Sequence, residues 1–323
     1  MFKQVQIPGK GQGLFATAQL PVGTIVIQES PFFTAPDLIG DHDAVCYAVE
    51  EIVSKFRRLT DEQKNQVLSL HDPDHTPGWL CVPHPSPDPG PTFLLPFAFA
   101  DETEKKAVRI FSENCIGLCH REGTIDRSAM YKTISRINHS CAPNVVWSWI
   151  LGDKSKVEKQ MRVVREIKEG EEILVRYWGA FTFPSRDERQ ARLRDWNFIC
   201  NCEVCSLTGD ELIENEKVRK KIRDLHAAID VKLQLGLPKQ AYEAAKEKLK
   251  MMRSIEKEMV VQLLDALLKC CELAAVCNLP SSHTSGMMKQ AKDMSGLFGD
   301  SDIDYYMKEE RRIALIRRKV PLG

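Results

Sequence analysis

The sequence predicts an α+β protein, and two patterns carry that reading. Short β-prone runs bounded by glycine and proline turns occupy residues 14–33 and 145–178, whereas apolar residues recur every three or four positions over 41–70 and again beyond 210. A chain of 323 residues with 43% hydrophobic content is large enough for one substantial core and a second.

Leu14-Phe15-Ala16 and Thr24-Ile25-Val26-Ile27 read as two strands of a small sheet, parted by a Pro21-Val22-Gly23 turn. Over 41–70, Val45, Val49, Ile52 and Phe56 mark a helical face, and Thr60-Asp61-Glu62-Gln63 has the form of a capped start to a second helix. Eight of the 17 prolines fall between Asp72 and Pro96, with Gly78 and Gly90, so this stretch reads as loop or insertion. Residues 101–120 read as a further helix running into Asn114-Cys115-Ile116-Gly117-Leu118. Strand character returns over 145–151, 160–164 and 173–178, with Gly152-Asp153 and Glu169-Gly170 as turns. Beyond Asp210 the chain is helical: Val218, Ile222, Leu225, Ile229 and Leu233 share one face, Gly236 and Pro238 punctuate its end, Leu263, Leu267, Cys270 and Ala274 form another stripe, and 302–319 make a last helix. Antiparallel helix pairs of the tetratricopeptide kind fit this pattern, although no exact repeat period is visible.

Forty-five basic residues against 45 acidic ones argue against a protein built around non-specific phosphate binding. Residues 211–323 carry 21 Lys+Arg and 17 Asp+Glu (+4), which leaves −4 for the front. That slight acidity suits a lysine-bearing peptide. The N-terminus lacks the apolar core of about 7–15 residues that a secretory signal needs. No stretch reaches the roughly 18 apolar residues of a membrane span. A soluble intracellular protein, cytoplasmic or nuclear, is expected. Its 11 cysteines then read as thiols or metal ligands rather than disulfides.

Four islands stand out. Cys200, Cys202 and Cys205 form a C-x-C-x₂-C cluster, three thiolates short of one ligand for the tetrahedral shell of structural zinc, and Cys141 is the expected fourth. Cys46, Cys81, Cys115, Cys119, Cys270, Cys271 and Cys277 lack such spacing and are assigned to packing or exposed thiols. Lys10-Gly11-Gln12-Gly13-Leu14 offers a tight turn and close backbone approach, but no third glycine opens a helix, so it is not a dinucleotide fingerprint. Asn138-His139-Ser140-Cys141-Ala142-Pro143-Asn144 holds a lone histidine, which is more often a structural hydrogen-bonder than a catalytic metal ligand. Tyr177 ends the run from Ile173, where a tyrosine taken alone is a half-buried aromatic.

Together and in this order, the islands resemble a SET-domain protein lysine methyltransferase, most closely the SET/MYND branch with its N-H-S-C-x-P-N run, zinc-binding segment after the core and helical C-terminal region. The resemblance implies small curved β-sheets with a threaded C-terminal segment, divided as 1–34 and 114–185 (SET portions), 35–113 (helical and Pro-rich insertion), 186–210 (post-SET zinc segment) and 211–323 (helical, tetratricopeptide-like). It implies S-adenosylmethionine bound along Lys10, Gly11, Gln12, Gly13 and Leu14, with Lys10 facing its carboxylate, the backbone of Asn138 and His139 at the adenine, and the Asn138 side chain at the amino-acid end. Asn114 resembles a further cofactor contact, and Phe198 is expected against the adenine ring. Tyr177 is the expected catalytic tyrosine, beside the cofactor's methyl, and Trp196 a wall of the lysine channel. One structural zinc on Cys141, Cys200, Cys202 and Cys205 completes the site. Residues 35–113 offer only Cys46 and Cys81 and cannot build the MYND zinc module of those relatives.

The expected reaction moves a methyl group to the ε-amine of lysine in a protein or peptide, histone or non-histone, by a monomeric enzyme. The rival is a non-catalytic SET-fold adaptor that holds a partner in its cleft and helices. A zinc-dependent nucleic-acid binder lacks both a basic stripe and a second zinc cluster.

Overall fold

A computed structural model describes residues 1–38, 42–72, 99, 101–120, 123–149, 158–177, 183–196, 198–298 and 300–319. The Pro-rich stretch falls almost wholly outside the described residues, as does Cys81.

The front of the chain folds into three small sheets. β1 (Phe2–Ile7) and β2 (Gly11–Ala16) form an antiparallel hairpin, and the sheet continues through β10 (Glu172–Val175) to β7 (Asn138–His139). Its turn needs positive φ at Gly9 and Gly11, 72° and 73°, which glycine adopts without a steric penalty. β10 runs antiparallel to β2 but parallel to β7, with Leu174 opposite Asn138 and Val175 opposite His139. A second sheet has the order β3 (Ile25–Glu29), β9 (Lys159–Val163), β8 (Val145–Trp149), and a third β4 (Phe33–Pro36), β6 (Gly123–Met130), β5 (Ile116–His120). Leu14, Ile137, Met161, Ile173 and Val175 belong to the core that the first two sheets share.

The insertion holds α1 (His42–Arg57), α2 (Asp61–Leu68) and α3 (Glu102–Asn114). α2 opens on the expected capping box, with Thr60 and Gln63 bonded reciprocally. These helices pack through Val49, Ile52, Phe56, Ile110 and Phe111 on Phe33 and Met130 of the third sheet. The helix expected over 101–120 stops at Asn114. Cys115 takes an extended conformation, and Ile116–His120 pairs with β6 instead.

After α4 (Arg186–Leu193) and a 3-10 turn at Arg194–Trp196, the chain continues through α5 (Gly209–Gln234), α6 (Pro238–Ser254), α7 (Glu256–Val276), α8 (Ser285–Phe298) and α9 (Asp300–Lys319). Gly236 at φ 69° and Pro238 at the first turn of α6 make the expected break. Ile222, Leu225, Ile229, Leu263, Leu267, Cys270 and Ala274 all lie in the helical core. Among the described residues no helix is long and apolar enough to cross a membrane.

Candidate functional site

The first sheet brings the sequence islands together. Gly13 lies inside β2, opposite Val5. A Cβ there would sit 2.5 Å from Ile7 Cδ1, 2.7 Å from Glu172 Oε1 and 2.9 Å from Asn138 Nδ2. Only glycine permits that approach. Asn138 Nδ2 donates to Glu172 Oε1 at 2.8 Å and to the Gln12 carbonyl at 3.3 Å. With the amide nitrogen facing those two acceptors, Oδ1 is the Asn138 atom that points elsewhere as an acceptor. Leu14 is fully buried opposite Ile173. Lys10 is exposed, and its backbone N–H closes the turn on the Ile7 carbonyl at 3.1 Å.

Asn144 carries a role that the sequence did not suggest. It has no exposed surface; its Nδ2 donates to the Glu172 carbonyl at 2.8 Å and its Oδ1 accepts from Leu174 N at 2.8 Å. One side-chain amide thus stands beside β10 as a strand neighbour would, and fixes the loop from 140 to 144. Glu172 is the other missed residue, since it orients Asn138. Asn114 differs from the rest of the cofactor set. Its side-chain amide donates to the carbonyls of His71 at 2.8 Å and Ile110 at 2.7 Å, which joins α3 to the segment after α2, and its backbone carbonyl accepts from the Ser135 hydroxyl.

Tyr177 lies two residues past β10 and is held at both ends. Its backbone N–H donates to His139 Nδ1 at 3.1 Å and its hydroxyl to the Ile137 carbonyl at 3.0 Å. Burial, with the Glu172 carboxylate nearby, raises the phenol far above its usual range, so the hydroxyl keeps its proton at neutral pH. Trp196 stands 5.5 Å and Phe198 6.4 Å from the Tyr177 ring, and Phe198 lies 6.2 Å from His139. Four rings from three distant segments form one aromatic cluster. Burial pushes His139 down to about 3; the Cys202 thiolate opposes this, and the Arg176 and Arg189 charges add to it.

Behind the rings, the sulfurs of Cys141, Cys200, Cys202 and Cys205 all lie within 4.8 Å of one another, with Cys141 and Cys205 at 3.5 Å. A zinc tetrahedron with Zn–S near 2.3 Å spaces its sulfurs about 3.8 Å apart, so the donor set fits that ion. The surroundings fit its charge. Arg189 on α4 is 2% exposed, and its Nε and Nη2 find no oxygen acceptor among the described residues. Burial opposes its charge, yet the Cys141 and Cys205 sulfurs and Glu216 hold its pKa above the ordinary value. Arg176 donates to the Cys141 carbonyl, and Arg219 on α5 shares the Pro184 carbonyl with Arg189. Burial lowers Arg176 to about 10 and Arg219 to about 9, with repulsion among the guanidiniums contributing. Two buried guanidiniums with a half-buried third beside them call for negative charge, which Glu216 supplies in part and which four thiolates around one Zn²⁺, carrying two negative charges, would complete. A separate groove of about 1100 Å³ runs along α5 and α6, lined by Lys232, Lys239, Lys250 and Arg253 among others, away from these residues.

Comparison with known proteins agrees with this geometry. The SET domain family model matches residues 11–178, just over half the chain. The chain is 25% identical over 312 residues to histone-lysine N-methyltransferase set5 of Schizosaccharomyces pombe, covering 95% of this chain and 82% of that protein. It is 33% identical over 115 residues to N-lysine methyltransferase SMYD2 of Homo sapiens, covering 35% of this chain and 24% of that protein. With histone-lysine N-methyltransferase SMYD3 of Mus musculus it shares 34% identity over 125 residues, 35% of this chain and 28% of the other. The chain thus spans most of the yeast relative but about a quarter of the SMYD relatives. With its islands gathered at one sheet and the matched region running through all but the last of them, the chain belongs to the SET-domain family.

Proposed function

We propose that this protein transfers a methyl group from S-adenosylmethionine to the ε-amine of a lysine in a protein substrate. The observation that carries the reading is the convergence of Gly13, Asn138, Tyr177 and the aromatic cluster at one end of the first sheet, in a chain of the SET-domain family. The relatives' names put the acceptor on lysine, histone or otherwise.

Bound donor supplies an activated methyl on a sulfonium, so this chain's own residues must align and desolvate. Gly13 lets Asn138 and Glu172 close on β2; Asn138 Oδ1 would then accept from the donor's amino group, and the backbone of Asn138 and His139 with the ring of Phe198 would receive its adenine. Free lysine has a pKa near 10.4 and is protonated at neutral pH. An apolar channel walled by Trp196 and Tyr177 favours the neutral amine, the proton leaving to solvent before the nitrogen attacks. In-line placement at about 3–3.5 Å supplies several kcal/mol of the barrier reduction. The Tyr177 hydroxyl is fixed by the Ile137 carbonyl, and its lone pairs would offer the methyl weak C–H···O contacts. Cys141, Cys200, Cys202 and Cys205 hold one structural zinc, which joins the Asn138–His139 loop to the Phe198 segment.

The test is radiolabelled methyl donor with histones and with cell lysate, followed by identification of the modified residue. Label on lysine is expected, and Tyr177→Phe should lower turnover about a hundredfold while donor affinity by calorimetry changes less than about threefold. Wild-type turnover in that variant, or no affinity for the donor, overturns the reading.

A further inference from the structure

The parallel ladder between β7 and β10 ends at His139 and Val175. Beyond it Tyr177 extends past the sheet, and its N–H is received by a side chain, at 3.1 Å from His139 Nδ1. A backbone N–H can only donate, so Nδ1 must offer its lone pair. A neutral imidazole with Nδ1 free carries its proton on Nε2. That nitrogen lies 3.5 Å from Cys141 Sγ, and with zinc on the cluster this sulfur would be a thiolate, which can only accept. Two contacts on opposite edges of the ring therefore demand the same tautomer. His139 is 8% exposed, and the rings of Tyr177 and Phe198 lie 5.2 and 6.2 Å away, so the imidazole is enclosed where these contacts meet.

We propose that His139 is a positioning residue for Tyr177: the Cys141 sulfur holds the ring proton on Nε2, and the freed Nδ1 fixes the backbone from which the active-site phenol hangs. This rests on the reading of Tyr177 as the catalytic tyrosine. The cysteine cluster then acts on the reacting centre through one aromatic ring. Arg176, the neighbouring residue, is tied to the Cys141 carbonyl, so two consecutive residues of the same segment are fastened to the cluster's first ligand.

The direct test is two-bond ¹H–¹⁵N correlation on zinc-loaded protein labelled with [¹⁵N]histidine, with His139 assigned by its absence from the His139→Gln spectrum. The proton is expected on Nε2; a proton on Nδ1 overturns the proposal. Two variants split the ring's functions, because asparagine can present an acceptor where Nδ1 lies and glutamine a donor where Nε2 lies. His139→Asn should lose about tenfold in turnover and His139→Gln about a hundredfold, since small displacements of a reacting group cost that much. Donor KM should move less than about threefold, and zinc should stay near one per chain in both. Glutamine equal to or better than asparagine, or wild-type turnover in either, overturns the proposal. If neither variant folds, the tautomer alone decides, with His139 assigned instead by through-space contacts of its ring protons with the Tyr177 and Phe198 rings. Wild-type activity of Tyr177→Phe overturns the methyl-transfer role of the tyrosine and leaves the tautomer result standing, so the two failures are distinguishable.

Discussion

The helical C-terminal region and the sheeted front hold together by different means. In the back, α5 packs on α6, α6 on α7, α7 on both α8 and α9, and α8 on α9, so most neighbours in space are neighbours in sequence. In the front, the contacts that build the site join residues 126 apart (Asn138 and Gln12), 64 apart (Cys141 and Cys205) and 38 apart (Tyr177 and His139). Local packing yields a graded response to damage, whereas a site assembled from distant single contacts fails when one of them is lost. Chemistry here is placed where the chain must return to itself.

Substitutions in the two regions test that contrast. The largest effect is expected from Cys202→Ser, which removes a cluster ligand: zinc measured by metal analysis should fall from about one per chain to near none, and turnover by about a hundredfold or more. Retained zinc and retained turnover would break the comparison at its strongest point. Gly13→Ala comes next. Its Cβ meets Ile7, Glu172 and Asn138 below 3.0 Å. These are half-buried side-chain ends that can yield, but moving Asn138 disturbs its bonds to Glu172 and Gln12, so donor affinity measured by calorimetry should drop about 10-fold. In the back, Leu267→Ala empties a site with no exposed surface. It should destabilise the protein by about 2–5 kcal/mol in urea unfolding, with turnover per folded molecule unchanged.

The smallest expected effect is one of pH. His139 is neutral in the folded state, with its pKa pushed down to about 3, and ordinary when unfolded. A depressed histidine binds its proton more readily in the unfolded chain, so its contribution to stability is complete above about pH 6.5 and declines as the pH falls toward 3. From pH 6.5 to 5.5 the wild type should lose about 1 kcal/mol more than His139→Asn, read from urea midpoints. Equal losses would show that the imidazole titrates freely.

The same contrast explains what could be read in advance. The helical faces at Ile222, Leu225 and Ile229, and at Leu263, Leu267 and Cys270, follow from periodicity alone, because a helix buries its own stripe locally. The capping box at Thr60 was visible for the same reason. β6 was not. Its Arg127 and Ser128 bond Glu51 and Asp37 from α1 and the segment after β4, and the strand edge that draws Ile116–His120 out of the helix belongs to that hidden partner. Cys200, Cys202 and Cys205 advertise themselves by spacing, whereas nothing near Asn144 announces that its amide pairs with β10, nor does Glu172 show which asparagine it will orient. Arg176, Arg189 and Arg219 are ordinary surface residues by sequence. Arg189 and Arg219 are each 2% exposed near the cysteine cluster, a placement that only the folded chain brings about.

The span between Cys141 and Cys205 has a consequence in polymer terms. An ion gripped by both ends ties 64 residues into a ring, and that ring contains β8, β9, β10 and α4. Cross-linking a loop of that length removes about 4 kcal/mol worth of freedom from the unfolded chain, if a coordinate link is treated as a covalent one would be. Much of the metal's stabilising influence would then be exerted on strands that never touch it, by narrowing the disordered alternatives open to them.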